Sequence, residues 1–325
     1  MISYNGHISY ASAPAKIILF GEHFVVYEKP AILASIDKRV HIIVIKNDKE
    51  NSIIINDRIF GKKYYPISVF ADLERFSNDI YFPLLYTIKK NSAFKSNVGL
   101  EFTINSDIPY GMGLGSSAAL SVATVACLSN IFKAITKEKI LELSIEAEKL
   151  VHKNSSGADC IVTTYGGLLL YQKNTSFRKL ESKRELSLFL IPTGIKHSTG
   201  ELVDFVKKFK SSNLDNFHKL ANASENITKR AIRALKDGNE IMLGDLMNEN
   251  QILLEKIGVS NLTIDKIIGL CDKYHALGSK ITGAGGGGCV LALIEAEIKN
   301  SFMRNMEKEG FHCVPVELET DGLIY

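Results

Sequence analysis

Glycines at 111, 113 and 115 alternate with Met112 and Leu114 and run straight into Ser116 and Ser117, in a segment reading Ile-Pro-Tyr-Gly-Met-Gly-Leu-Gly-Ser-Ser-Ala-Ala-Leu up to Leu120. Glycine lets a backbone approach a bound group closely, and the serines open a helix. A helix start offers unpaired N–H donors and a positive dipole end, which together suit a phosphate. A Walker A loop is excluded, because no lysine follows the last glycine. A dinucleotide fingerprint fits poorly, since Pro109 precedes the run and two serines stand where its third glycine would fall. The bland alternative is a tight turn with a serine N-cap. Against it, three alternating glycines cost backbone entropy without helping a turn.

Two further segments ask for a chemical reason. Five of the six residues from 283 to 288, Gly285 among them, are glycine, between an expected helix and the apolar strand Val290 to Ile294. Such density is costly unless the backbone lies against a ligand or another segment, and a flexible linker would favour serine. Near the N-terminus, Ala13 to Val26 reads Ala-Pro-Ala-Lys-Ile-Ile-Leu-Phe-Gly-Glu-His-Phe-Val-Val. Lys16 stands at the entry to a strand, and Gly21, Glu22 and His23 interrupt an apolar run. Taken singly, Lys16 reads as a surface cation and His23 as a structural histidine.

The elements that must position these groups follow from pattern. Val40 to Ile45, Ser52 to Ile55 and Val98 to Asn105 carry strand composition. A helix should run from Ser116 to about Ala134, and a second should start at Thr136 as N-cap, with Glu138 in its first turn. Its apolar residues Ile140, Leu143, Ala147, Leu150 and Val151 form one stripe, which leaves Glu148 off it together with Glu142 and Glu146. Val162 to Tyr171 reads as strand and turn. The polar stretch Gln172 to Glu185 is the best boundary, giving domains of residues 1–180 and 181–325. Beyond it come a strand at Leu186 to Ile191, helices between Gly200 and Tyr274, and a helix and strand ending near Cys313 to Leu318. No repeat has a fixed period, and strands and helices mix without regular βα alternation, so the fold class is α+β.

A length of 325 residues suggests about two domains, and 46% apolar with 23% charged residues excludes wholesale disorder. A net charge of +3 gives no reason to expect nucleic acid, and no basic block suggests a membrane surface. The apolar stretch Ala118 to Cys127 is too short to span a bilayer. Five cysteines without a Cys-x-x-Cys pair argue against disulfides or a thiolate zinc site and for a reducing compartment. Met1 to Lys16 lacks signal-peptide character. The expectation is a soluble, cytoplasmic, two-lobed protein.

In this order and at these separations, the three segments resemble the GHMP small-molecule kinases, a family named for galactokinase, homoserine kinase, mevalonate kinase and phosphomevalonate kinase. The resemblance extends from Ala13 to about Ile294, and its Pro109 to Ala119 motif is the most specific part. Gly-Glu-His followed by Phe24, Val25 and Val26 resembles the mevalonate branch. A galactokinase would continue with Thr-Asp-Tyr, and phosphomevalonate kinases more often carry Tyr at position 23. Glu146 to Asp159 is similar to the mevalonate-branch segment that holds a metal-binding Glu and a catalytic Asp, here Glu148 and Asp159.

The resemblance implies ATP- and Mg²⁺-dependent phosphorylation of mevalonate at its 5-hydroxyl. It also implies an N-terminal lobe like ribosomal protein S5 domain 2 and a ferredoxin-like C-terminal lobe. On its terms, the stretch Gly111, Met112, Gly113, Leu114, Gly115, Ser116 and Ser117 binds the triphosphate together with Gly285. Ser117 and Glu148 hold Mg²⁺, and Asp159 guides the hydroxyl proton with Lys16 beside it. Glu22, His23 and Thr199 face the substrate. The chain departs from the family at Ala15, where glycine is usual, and at Ser155, where proline is usual. Two alternatives stay open: another family kinase, acting on phosphomevalonate, a sugar or an amino-acid alcohol, and a non-catalytic ligand sensor of the same fold. The presence of Lys16, Ser117, Glu148 and Asp159 speaks against the sensor. The expected partners are ATP and mevalonate, with neither nucleic acid nor membrane, and whether a homodimer forms is left open.

Overall fold

In the computed structural model, which describes residues 7–47, 51–91, 94, 98–151, 156–196 and 198–325, the N-terminal apolar runs pair as two long antiparallel strands. These are β1 (Ile8–Phe20) and β2 (Ala31–Asn47). Their ladder breaks register twice, between Pro14 and Ala15 and between Ile18 and Phe20, so Lys16 rides on a short stretch bounded by two irregularities. The strands β3 (Ser52–Asp57) and β4 (Gly61–Pro66) form a hairpin. After helix α1 (Phe82–Lys90), strand β5 (Gly99–Ser106) joins the free edge of β2 and runs parallel to β3.

Three helices follow: α2 (Ser116–Ile131), α3 (Lys137–Val151) and α4 (Ala158–Tyr165). Helix α2 is small and apolar on every side, with Ala118, Ala119, Val122, Ala123 and Ala126 all buried, and it packs flat onto β1 and β2. Strands β6 (Leu168–Tyr171) and β7 (Arg178–Leu180) complete a seven-stranded sheet among the described residues.

The second half of the chain builds its own layer. Strand β8 (Leu188–Pro192) is followed by α5 (Thr199–Ser212), α6 (Leu214–Asp237), α7 (Glu240–Lys256) and α8 (Leu262–Lys273). Then come β9 (Gly278–Thr282), β10 (Cys289–Leu293), α9 (Lys299–Lys308) and β11 (Val314–Val316). The strands make a four-stranded antiparallel sheet in the order β11-β8-β10-β9. Polar side chains start three of these helices: Ser198, Asn239 and Asn261 accept from backbone N–H groups one turn in.

The α+β class and two-lobed plan read from the sequence are what forms, with three local differences. Residues 162–165 belong to helix α4, because Val162, Thr163 and Thr164 are buried against the first sheet and packing overrides their β-branched preference. The segment before the glycine-rich loop is strand β9, with the preceding helix ending at Lys273. On α3 the buried face is Ile140, Ser144, Ala147 and Glu148, while Leu150 is exposed, so the stripe is partly polar.

Beyond β11 the chain leaves the second sheet and returns to the first. Leu318 bridges to Ile36, and Ile324 bridges to Ser12. Arg39, on β2 and nearly buried, fastens this return by donating to the carbonyls of Ser12, Asp321 and Gly322 at 3.1, 3.1 and 2.7 Å. Its planar fork is suited to several acceptors at once. Arg39→Met removes these donors and, while the Ser12 carbonyl keeps the Ile324 N–H, strands the buried Gly322 carbonyl. It should lower the unfolding free energy by roughly 2–4 kcal/mol, measured by urea denaturation.

Candidate functional site

Lys16 enters from β1 with only 4% of its surface exposed. Its ammonium stands 3.2 Å from Asp159 Oδ1, and the Asp159 side chain keeps 40% exposure at the first turn of α4. The backbone N–H of Lys16 donates to the Leu114 carbonyl at 2.9 Å, tying β1 to the glycine loop. The loop lies so close that a Cβ at Gly115, where φ is +74°, would sit 2.8 Å from Lys16 Cγ. Glycine is required there by both contact and conformation.

Gly111, Gly113 and Gly115 all have positive φ, while Met112 and Leu114 between them do not. That alternation is the kind of backbone in which successive N–H groups can face one anion, a nest, and it leads directly into the N-terminus of α2 at Ser116. Gly115 occupies the N-cap position, and no side chain caps the helix. Ser117 is not an N-cap; it donates its hydroxyl to Glu148 Oε1 at 2.5 Å, which puts the two expected metal ligands side by side.

Glu148 is 4% exposed, with Ser121 as a second hydroxyl donor at 3.4 Å. Burial pushes its carboxyl up to about 7; the Ser117 hydrogen bond opposes that and the Asp159 charge adds to it. A buried carboxylate sharing one pocket with a serine hydroxyl offers two oxygen donors that could hold a hard divalent cation whose remaining places go to phosphate and water. Among the described residues no group of three or more His, Cys, Asp or Glu forms a fuller protein cage.

Lys16, Asp159, the loop from Gly111 to Ser117, Glu148, His23 and Thr199 converge on one cleft of about 550 Å³. Thr199 and Gly200 bring the start of α5 to its far wall, and Val25, Val26 and Val203 give that side an apolar lining. The N-termini of α2, α4 and α5 therefore all open into the same space. Gly283 and Ala284 close the cleft from the second sheet.

Two expected contacts stand behind the wall instead of in it. Glu22 is fully buried and its carboxylate is taken up by Lys280 and by Asn250, whose amide donates at 3.1 Å. Gly285, at φ +76°, packs on Val259, where a Cβ would lie 2.5 Å from a carbonyl oxygen. It shapes the loop and does not line the cleft. Of the two departures from the family pattern, the Ala15 methyl is fully buried in the core, and Ser155 lies outside the described residues. Sequence pattern missed Lys280, whose type and glycine-rich neighbourhood gave no sign of complete burial.

Fold and cleft together define the GHMP class of small-molecule kinases. The GHMP kinases N terminal domain is matched over residues 83–167, and GHMP kinases C terminal over residues 231–310. The mevalonate kinase of Pyrococcus furiosus is 36% identical over 304 residues, covering 87% of this chain and 88% of its own. The crystal structure of Methanococcus jannaschii mevalonate kinase superposes with a TM-score of 0.84 at 27% identity, covering 97% of this chain and 99% of its own. That of L. major mevalonate kinase in complex with R-mevalonate gives 0.83 at 27% identity, covering 97% of both. The chain belongs to this family, in its mevalonate kinase branch.

His23 generates a pH test. Its Nε2 donates to the Ala284 carbonyl at 2.8 Å, which leaves Nδ1 as an acceptor on a neutral ring. Burial lowers its pKa from the ordinary 6.5 to about 4, against the pull of the Ala284 bond. Between those values the unfolded chain binds a proton that the folded chain refuses. The His23 contribution to stability should therefore fall by roughly 3 kcal/mol as pH drops from 6.5 to 4, while the raised Glu148 carboxyl works in the opposite direction between 7 and 4.5. Unfolding free energies from urea titrations of wild type and His23→Gln isolate the His23 part: the wild type should lose stability relative to the variant as pH drops across that range.

Proposed function

We propose that this chain transfers the γ-phosphoryl group of ATP to the 5-hydroxyl of mevalonate, giving 5-phosphomevalonate and ADP. Support comes from the mevalonate kinases to which it is similar, one of them solved with R-mevalonate bound. The observation that carries the reading is the Lys16–Asp159 pair at 3.2 Å, set in the same cleft as the glycine nest. One part can hold a triphosphate, and the other can handle the proton of an attacking alcohol.

Phosphoryl transfer needs an in-line approach, neutralised phosphate charge and a place for the hydroxyl proton. The nest from Gly111 to Gly115 and the first N–H groups of α2 would cradle the phosphates. Ser117 and Glu148 would hold Mg²⁺, which when bound supplies positive charge to the phosphate oxygens. A cation there would also answer the cost of burying the Glu148 carboxylate. As the alcohol oxygen bonds to the γ-phosphorus and the β–γ bridging oxygen leaves with ADP, Asp159 would accept the hydroxyl proton. The Lys16 ammonium beside it would steady the negative charge building on the alcohol oxygen. His23 Nδ1 and Thr199 would orient the substrate's polar groups, and the valines its methyl-bearing carbon chain. Glu22 would act on the substrate through the turn it anchors.

In this reading residues 1–180 carry the phosphate machinery and 181–325 close the cleft, with the C-terminal return fastening one to the other. We place the reaction in the cytoplasm: all five cysteines are unpaired thiols, which suits a reducing compartment. No helix among the described residues is long and apolar enough to cross a membrane.

The test is ADP release from Mg-ATP with mevalonate, phosphomevalonate, galactose and homoserine offered separately. Mevalonate alone should support turnover, and Asp159→Asn should reduce it about 10²–10⁴-fold while ATP binding persists. Turnover with one of the other alcohols in place of mevalonate would overturn the substrate assignment.

A further inference from the structure

Among the described residues, phosphoryl transfer as proposed leaves unused one cation with no exposed surface. Lys280 of β9 is fully buried, and so is the Glu22 carboxylate it pairs with across the junction of the two sheets. An ammonium has three donors, and here they have three acceptors: Glu22 Oε1, the Ile18 carbonyl at 3.3 Å and the Ile281 carbonyl at 2.5 Å. Thr282, two residues on, grips the same point of β1. Its hydroxyl accepts from the Ile18 N–H at 2.9 Å and donates to the Ile18 carbonyl at 3.1 Å.

A buried ion pair is weak as a device for stability, because apolar residues of like volume often do as well or better. What distinguishes this pair is where it attaches. Ile18 lies two residues after Lys16 and shares its face of β1, and both side chains line the cleft. The stretch that carries them pairs with β2, Lys16 opposite Ser35 and Ile18 opposite Leu33, but it is only four residues long between two register breaks, so its ladder is short. Glu22 directly precedes His23, which holds a φ of +60°, unfavourable for a residue with a side chain. The second sheet thus grips both the strand that presents Lys16 and the turn that presents His23.

The geometry points to Lys280 as a positioning residue for phosphoryl transfer, one that holds Lys16 and His23 in register with Asp159 through Glu22 and the Ile18 carbonyl. This rests on the phosphoryl-transfer reading of the cleft. Lys280 touches neither the cleft nor any reacting atom, and its effect on the reaction is geometric.

Lys280→Met alone strands a buried carboxylate, so the test uses two charge-free pairs: Glu22→Gln with Lys280→Met, and Glu22→Gln with Lys280→Gln. Two measurements are made on each, kcat and KM with mevalonate and ATP, and amide hydrogen exchange over residues 16–23. Whichever pair melts within a few degrees of the wild type should lose at least about tenfold in kcat, while its KM for ATP stays within about twofold. Exchange over residues 16–23 should quicken in both pairs while β10 stays protected. The pair carrying Lys280→Gln, which keeps an amide donor, should lose less kcat than the pair carrying Lys280→Met. Wild-type kcat in a folded pair, or unchanged exchange over residues 16–23, would overturn the proposal. Exchange needs no substrate, so a wild-type chain silent on all four alcohols would sink the phosphoryl-transfer reading and leave this test standing.

Discussion

An ammonium taken out of water costs several kcal/mol unless an opposite charge meets it at close range. Lys16 is such a group, almost wholly buried, and Asp159 meets it at 3.2 Å. Much of the first lobe is arranged around that meeting. Strand β1 must pass directly beneath the glycine loop, which is why position 115 tolerates no Cβ. Helix α4 must begin at the same point, and it does so from Gly157 in a left-handed conformation. Helix α2, packed flat on β1 through small residues, fixes the loop between them.

The second constraint is the joining of two sheets that share no strand. A seam of polar contacts runs along β1 and the turn after it: Thr282 and Lys280 on Ile18, Lys280 and Asn250 on Glu22, Ala284 on His23. At the other end the C-terminal residues return to β1 and β2 under Arg39. The cleft lies along this seam, beside which Phe24 and Tyr27 pack on Phe217 of α6, so polar and apolar contacts together join the two layers. Satisfied buried polar groups specify one geometry more sharply than apolar surfaces do, since a shifted alternative leaves donors unmatched.

The glycine loop was legible because three alternating glycines before two serines have few structural excuses, and the loop's φ values bear out the alternation. Several strands were legible from composition and alternation, α2 from the serines that follow Gly115, and α3 from its cap and stripe. The α+β class followed from the mixed order of elements, whereas the sequence of β9 reads as part of a helix. Glu148 was not legible that way. The buried face of α3 is half polar, with Ser144 bonded back to the Ile140 carbonyl and Glu148 turned toward Ser117 and Ser121 of α2, and an apolar count passes over such a stripe. Only the family resemblance singled it out. Glu22 and Gly285 were picked out by motif, yet both serve the wall of the cleft: motif membership marks where residues gather, and burial decides what they touch. Helix α4 was hidden by its Val-Thr-Thr composition, and Lys280 by its type, since a lysine with complete burial is rare enough that sequence alone never suggests it.

In the proposed mechanism, Lys16 and Asp159 act as one unit on the hydroxyl proton. A double-mutant cycle on single-turnover phosphoryl transfer, using Lys16→Met and Asp159→Asn, tests this most directly. A unit predicts that the double variant is no slower than the worse single variant by more than about tenfold, because either change disables the pair. Losses that multiply in full would contradict it, and would mean that the two side chains, though 3.2 Å apart, contribute independently.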